Sequence, residues 1–251
     1  MSANEYFEKA IPILQKIQTT QLEAIERAAK ACAASIASGR AAHVFGSGHS
    51  VIPVMDIFPR YGSYVGFHPI MDPRTMWFNV VGPGGARELL WIERTEGYAK
   101  QVLLSHNLDP RDSLIVYSHG GMNAAPVEMA LTAKENGLTV IGVTCVANRR
   151  LNQPTHSSGK ALADIADIVI DNCCPPEDAL VDVENRPEKV SASSTLAGVA
   201  ITMALLAETT KALVQMGKTP ERIFVSPNIA EVPLENNLQV FRDYEKFERN
   251  L

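Results

Sequence analysis

The sequence predicts an α/β fold built on a parallel sheet, and two observations carry that prediction. Five short apolar runs, His43–Phe45, Tyr64–His68, Ser113–Tyr117, Thr139–Thr144 and Ile168–Ile170, read as strands, and segments with helical spacing separate most of them. Parallel neighbours need a crossover between them, so the alternation means βαβ units. With 251 residues, 46% hydrophobic and 20% charged, the chain can bury one sizeable core. One domain is expected over 1–251, with residues 1–40 as an N-terminal helix, 41–217 as the α/β core and 218–251 as a C-terminal extension.

From Asn4 to Ser38 apolar residues recur at Leu14, Ile17, Leu22, Ile25, Ala29, Cys32 and Ile36, and Gly39 supplies a stop. This predicts one long amphipathic helix, with Pro12 as its kink. Further helices are expected near Val51–Arg60, Glu93–His106, Asn123–Asn136, Lys160–Ile165 and Ser194–Met216. The irregular stretch from Met71 to Gly97 holds both tryptophans, and a loop that long in a compact fold is usually functional. Residues 148–159 and 172–187 are similarly polar and proline-containing.

The net charge of −5 gives no sign of a nucleic-acid or anionic-membrane partner. Four cysteines without metal-type spacing read as reduced thiols, and the acidic start "MSANEYFEKA" lacks the apolar region of a secretory signal. A cytoplasmic protein is expected. The apolar stretch "LAGVAITMALLAE" is too short to span a bilayer and reads as a buried helix.

Three turns share one design. Gly46-Ser47-Gly48-His49-Ser50 follows the first strand and opens a helix; Ser118-His119-Gly120-Gly121, with Asn123, follows the third strand and opens another; Ser193-Ser194-Thr195 opens the long late helix. Helix starts offer unpaired N–H groups and partial positive charge, and small hydroxyl residues add donors without blocking approach. Each alone is equally a good helix cap. Three in one chain predict a phosphate cradle that needs no Lys or Arg. In a doubly wound sheet of order 2-1-3-4-5, the loops after the first and third strands splay apart into a crevice at the switch point.

These motifs resemble the SIS (sugar isomerase) domain family, and the likeness runs over nearly the whole chain. "GSGHS", "ERTEGYA", "APVEMALTAKENGL", "THSSGK" and "ADIVIDNC" are similar to a bacterial branch of it to which phosphosugar binding, but no reaction, is assigned. The resemblance implies a three-layer αβα sandwich with a flavodoxin-like sheet, and sugar-phosphate contacts at Ser47, Ser50, Ser118 and Ser193 to Thr195. The second turn departs from the family pattern: Gly120 stands where a serine is usual, so the N–H groups of Gly120 and Gly121 are expected to replace it, and His119 to face either phosphate or sugar.

Isomerisation of a sugar phosphate needs a base beside the carbonyl, an acid to polarise it and often an imidazole to open the ring. The resemblance points to "ERTEG" for the base, so Glu93 or Glu96 is the candidate, read as lying in a helix's first turn. His49 is the candidate for ring opening, with a side chain bonded to its own loop as the alternative. Asp56 either orients His49 or faces solvent, and the His156 loop is a lid, part of a partner's site, or a helix cap. No metal and no cofactor are expected, because the six histidines lack ligand spacing.

An isomerase, a lyase using the same base, and a non-catalytic phosphosugar sensor all remain open, the first preferred because carboxylates and imidazoles accompany the phosphate turns. The segment before the first strand is too short for a helix-turn-helix module. Ala28, Ala29, Ala31, Ala33 and Ala34 would permit close helix approach, and with the family's habit of pairing they predict a homodimer or a dimer of dimers.

Overall fold

The computed structural model describes residues 2–228, 231–233 and 235–251. Its centre is a five-stranded sheet, β1 (Ala42–Gly46), β2 (Phe67–Pro69), β3 (Ser113–Tyr117), β4 (Thr139–Thr144) and β5 (Ile168–Asp171), in the order β2-β1-β3-β4-β5 with every pairing parallel. β1 and β3 are buried along their whole length because helices cover both faces, and this is why those runs are apolar without alternation. On one face Val44, Ile115, Ile141 and Ile170 pack against α2 (Leu22–Ala37), α3 (Val51–Ile57) and α9 (Ser194–Gln215). On the other, Phe45, Leu114, Val116 and Val140 meet α5 (Tyr98–Leu104), α6 (Ala124–Glu135) and α8 (Leu162–Ile165).

The N-terminal segment is two helices rather than one. α1 (Ala3–Thr20) carries Pro12 without interruption, and the break falls at Gln21, which caps α1 and precedes α2 with φ −114° and ψ −1°. The two helices have different targets: α1 packs on a two-stranded antiparallel hairpin, β6 (Ala179–Val181) with β7 (Val190–Ala192), while α2 packs on α9. Gln21 helps fix the bend, its Oε1 accepting from the Asp171 N–H at the end of β5. Ala28, Ala29 and Ala33 are wholly buried inside the chain, so those alanines serve the α2–α9 contact and are not a free pairing surface. α9 has the length and apolarity to cross a membrane by composition, and here it lies in the core between α2 and α3.

The expected helix over Glu93–His106 is replaced by α4 (Ala86–Ile92), a turn, and α5. The sequence did not disclose α7 (Val146–Leu151), the hairpin, or α10 (Asn236–Arg249). α10 covers the β2 edge: Val240 is buried in the first core, Tyr244 stacks on Phe58, and its hydroxyl meets His68 Nδ1 at 2.9 Å.

The sheet topology places the site. The chain leaves β1 for α3 on one face and leaves β3 for α6 on the other, so the two intervening loops diverge and open a crevice at the carboxyl ends of the strands.

Candidate active site

The loop after β1 turns sharply back on itself. A Cβ at Gly46 would lie 2.1 Å from the Ser50 carbonyl oxygen, so only glycine lets the strand end there and a short 3₁₀ turn, Gly48–Ser50, lead into α3. In the loop after β3, Gly121 has φ +66° and a Cβ there would sit 2.7 Å from Thr144 Oγ1. Both motif glycines are thus demanded by backbone approach.

Together with the start of α9, these loops line a cleft with about 290 Å³ of space, bounded by His49, Ser50, Ser118, His119, Ser194 and Thr195. All three predicted turns do converge. Their donors are not equally free. Ser118 Oγ accepts from the Gly121 N–H at 3.0 Å, which keeps its own proton for a ligand but removes Gly121 as a donor. The Gly48 N–H is taken by the Thr75 carbonyl at 2.8 Å.

At the start of α9 a carboxylate of the chain itself holds the anion position. Asp178 accepts from the N–H groups of Ser193 and Ser194, at 2.9 and 2.6 Å, and from Ser194 Oγ at 2.7 Å; Ser193, wholly buried, also gives its hydroxyl to the Asp178 carbonyl. Burial pushes Asp178 up, and the bonds from Ser194 and Ser193 outweigh it, so the group is held below its ordinary value and ionised. Of the three residues expected here, Thr195 lines the cleft without being spent on Asp178. His119 is likewise committed, with Nε2 3.1 Å from the Pro176 carbonyl and Nδ1 3.1 Å from Asn172 Nδ2, so that Nε2 donates and Nδ1 accepts. It is a wall of the cleft, fixed by the 172–187 segment.

Glu93 stands beside this cleft for a reason other than the one its sequence position suggests. It ends α4 as the C-terminal cap, where the helix dipole disfavours negative charge, instead of opening a helix. Its carboxylate is buried and clamped from both loops: Ser47 Oγ donates to Oε2 at 3.1 Å and Asn123 Nδ2 donates to Oε1 at 2.9 Å. The Ala125 N–H donates to its carbonyl at 2.9 Å and locks the backbone to α6. Burial raises the Glu93 pKa above the ordinary carboxylate value, against the Ser47 bond and the Arg94 charge 3.7 Å away. Ser47 and Asn123, expected as phosphate contacts, therefore hold the acid–base candidate.

Glu96 is elsewhere. It is exposed in the turn between α4 and α5, accepting from the Ser157 N–H at 2.7 Å and from the Ser157 hydroxyl, and these bonds lower its pKa. His156 Nε2 lies 3.8 Å from both Glu96 and the buried Glu128. The pair of glutamates thus splits into one at the cleft and one that fastens the 152–160 segment. Asp56 neither orients His49 nor stands free, its carboxylate being 3.0 Å from the guanidinium of Arg60, four residues on and past the end of α3.

Two further cavities adjoin the cleft. One, of about 580 Å³, shares His49 and is lined by Ser47, Trp77, Leu89 and Glu93, the His49 ring lying 4.6 Å from the Trp77 ring. The other, of about 740 Å³, shares Ser118 and is walled by Asn123, Asn148, Asn152, Gln153 and Thr155. Sequence reasoning flagged 148–159 only as a polar loop; the amides Asn148 and Asn152 one helical turn apart were the available signal. Asp178 and Asn172 had none, since their contacts are made across the fold. Among the described residues no cluster of His, Cys, Asp and Glu has metal-holding geometry.

A doubly wound sheet with an anion-type cleft and a buried carboxylate at its switch point defines a small-molecule binding class of α/β protein. The SIS domain family model matches residues 5–145, and the chain belongs to that family. It is 36% identical over 249 residues, covering 98% of each chain, to a UPF0309 protein of Caldanaerobacter subterraneus subsp. tengcongensis. To a UPF0309 protein of Halalkalibacterium halodurans it is 32% identical over 235 residues, covering 94% of each. The fold is shared with a phosphoheptose isomerase from Francisella tularensis, at TM-score 0.56 and 20% identity over 84% of this chain and 100% of that one.

Proposed function

We propose that the protein binds a sugar phosphate and isomerises it by moving a proton between the carbons beside its carbonyl, with Glu93 as the base. One observation carries the reading: a buried carboxylate of raised pKa is clamped by the same two loops whose serines line the anion-type cleft. Membership of the SIS family supports the ligand class. In this reading the hydroxyls of Ser50 and Ser118, with the Gly120 and Thr195 N–H groups, receive the phosphate. The sugar then extends over Glu93, between the Trp77 and the asparagine-walled cavities.

Ionised Glu93 takes the proton from the carbon next to the carbonyl and, as the acid so formed, returns it to the neighbouring carbon. Ser47 and Asn123 fix the carboxylate so that little reorganisation accompanies the transfer. His49, exposed and resting against Trp77, is placed to polarise the carbonyl oxygen or open the ring.

The test combines calorimetry with solvent deuterium exchange, using a panel of aldose and ketose phosphates and the matching free sugars. A phosphosugar is expected to bind where its free sugar does not, and the parent to exchange the carbonyl-adjacent proton. Glu93→Gln should slow that exchange by roughly 10²–10⁴-fold with binding retained. Equal affinity for sugar and phosphosugar would sink the binding reading. Binding without exchange by the parent would make the protein a sensor instead.

A further inference from the structure

The two adjacent glycines of the loop after β3 are there for different reasons. Gly121 is demanded by its positive φ and by the approach of Thr144, whereas Gly120 has no positive φ and no protein atom crowds it. A Cβ at Gly120 would find Asn148 Nδ2 at 3.6 Å, an ordinary van der Waals contact, as its neighbour. An alanine would therefore fit, and folding alone does not ask for glycine at this position. What the missing side chain keeps open is the space between the loop and the Asn148 amide.

Asn148 lies in α7, half-buried, and its carboxamide is held to one orientation. Its Oδ1 accepts from Nδ2 of Asn152, the C-terminal cap of α7 four residues on, and the same Asn152 nitrogen reaches the Asn148 carbonyl at 3.2 Å. A carboxamide whose oxygen is engaged presents its two N–H donors on the other side, and among the described residues Asn148 Nδ2 has no acceptor of its own. Ser118, Gly120 and Asn148 all line the asparagine-walled cavity, and Ser118 also lines the anion-type cleft, so this donor stands where the two spaces meet. The groups that gather there are donors: the Ser118 hydroxyl, the Gly120 N–H and Asn148 Nδ2. A phosphate oxygen accepts from several donors at once and answers such a set better than a sugar hydroxyl, which must also donate. We propose that Asn148 is a ligand-binding residue, its Nδ2 donating to a phosphate oxygen seated over Gly120, and that Asn152 is the positioning residue that aims it. The inference rests on the phosphosugar reading of the site.

Calorimetry with inorganic phosphate, and with glucose 6-phosphate beside it, tests this on the parent, Asn148→Ala, Gly120→Ala and Asn152→Ala, with thermal melts to show that each variant folds. Asn148→Ala is expected to weaken phosphate binding roughly tenfold or more, as for the loss of a hydrogen bond to a charged group. Gly120→Ala should melt as the parent does and still lose binding by a similar factor, because the Cβ fills the seat. Asn152→Ala should weaken binding severalfold in the parent and not at all when added to Asn148→Ala, a non-additivity that a merely structural role would not produce. A parent that binds neither ligand brings down the phosphosugar reading and this inference with it. A parent that binds inorganic phosphate, with either Asn148→Ala or Gly120→Ala binding it equally well, overturns this inference alone. A loss confined to glucose 6-phosphate overturns it too, by placing Asn148 on the sugar, and additive losses overturn the positioning role of Asn152.

Discussion

Acidification from pH 7 to pH 5 should destabilise this protein through His68 and His106, two imidazoles packed under α10 in a cluster of three. His43 in β1, His68 in β2 and His106 after α5 lie with ring centroids 5.2 to 6.2 Å apart. Around them stand Asp112, 3.5 Å from His43 Nε2, the Tyr244 hydroxyl, and Glu248 on α10. His43 is 1% exposed and neither ring nitrogen has a hydrogen-bond partner. Burial lowers His68 to about 4, with repulsion from the His43 and His106 rings adding to it; burial also lowers His106.

A base whose folded pKa is depressed binds its proton first in the unfolded chain. Its contribution to stability is therefore intact above about pH 6.5 and is lost as pH falls toward the folded value. With about 4 folded against 6.5 unfolded, His68 alone accounts for a loss of about 2 kcal/mol between pH 7 and pH 5. His68 and His106 lie 5.4 Å apart and titrate as a coupled pair, so this figure is not doubled. Glu93 works in the opposite sense: its raised pKa adds stability as pH falls toward the ordinary carboxylate value and offsets part of the loss.

Urea unfolding at pH 7, 6 and 5 measures the slope. His68→Asn keeps a polar partner for Tyr244 and removes the titrating ring, so it should flatten the slope by most of that amount. If parent and variant lose stability in parallel, the cluster is not the acid-labile element.

Asp178→Asn should tighten phosphosugar binding several-fold in calorimetry, because it removes a negative charge from the helix start where the phosphate is proposed to sit. Gly46→Ala drives a Cβ into the Ser50 carbonyl and should abolish binding while costing roughly 1–3 kcal/mol in thermal melts. Asp112→Asn leaves the buried Arg40 guanidinium without its two-point partner, 2.8 and 3.1 Å away, and should cost roughly 3–5 kcal/mol in urea unfolding. Glu96→Gln should leave the proton-exchange rate near that of the parent while amide exchange quickens across residues 152–160, whose attachment it weakens.

The sheet was legible because parallel strands buried on both faces must be apolar throughout, and the Leu114–Tyr117 and Val140–Val143 runs are. The break at Gln21 was not, because nothing local marks it: α1 and α2 diverge to reach different partners, and Pro12, the local signal, is absorbed within α1. The β6–β7 hairpin has strands of three residues with β7 exposed, too short to show a period.

The site shows where local reasoning stops. Small donors in GSGHS and SHGG announce an anion cleft because that property resides in the loop itself. Which donors remain for a ligand depends on distant groups, and so Ser193 and Ser194 went to Asp178, Ser47 and Asn123 to Glu93, and His119 to Pro176 and Asn172. The motif "ERTEG" points to Glu93 as a helix-start carboxylate, but the feature behind its proposed role as base is of another kind. Burial at the C-terminal end of α4 destabilises its charge, and two clamping donors keep it aimed; a dipole-stabilised carboxylate at a helix start would be a weaker base. In the proposed mechanism the same polypeptide stretch contributes the proton acceptor through tertiary burial, while the loops that grip it lend their remaining donors, Ser50, Ser118 and Gly120, to the phosphate.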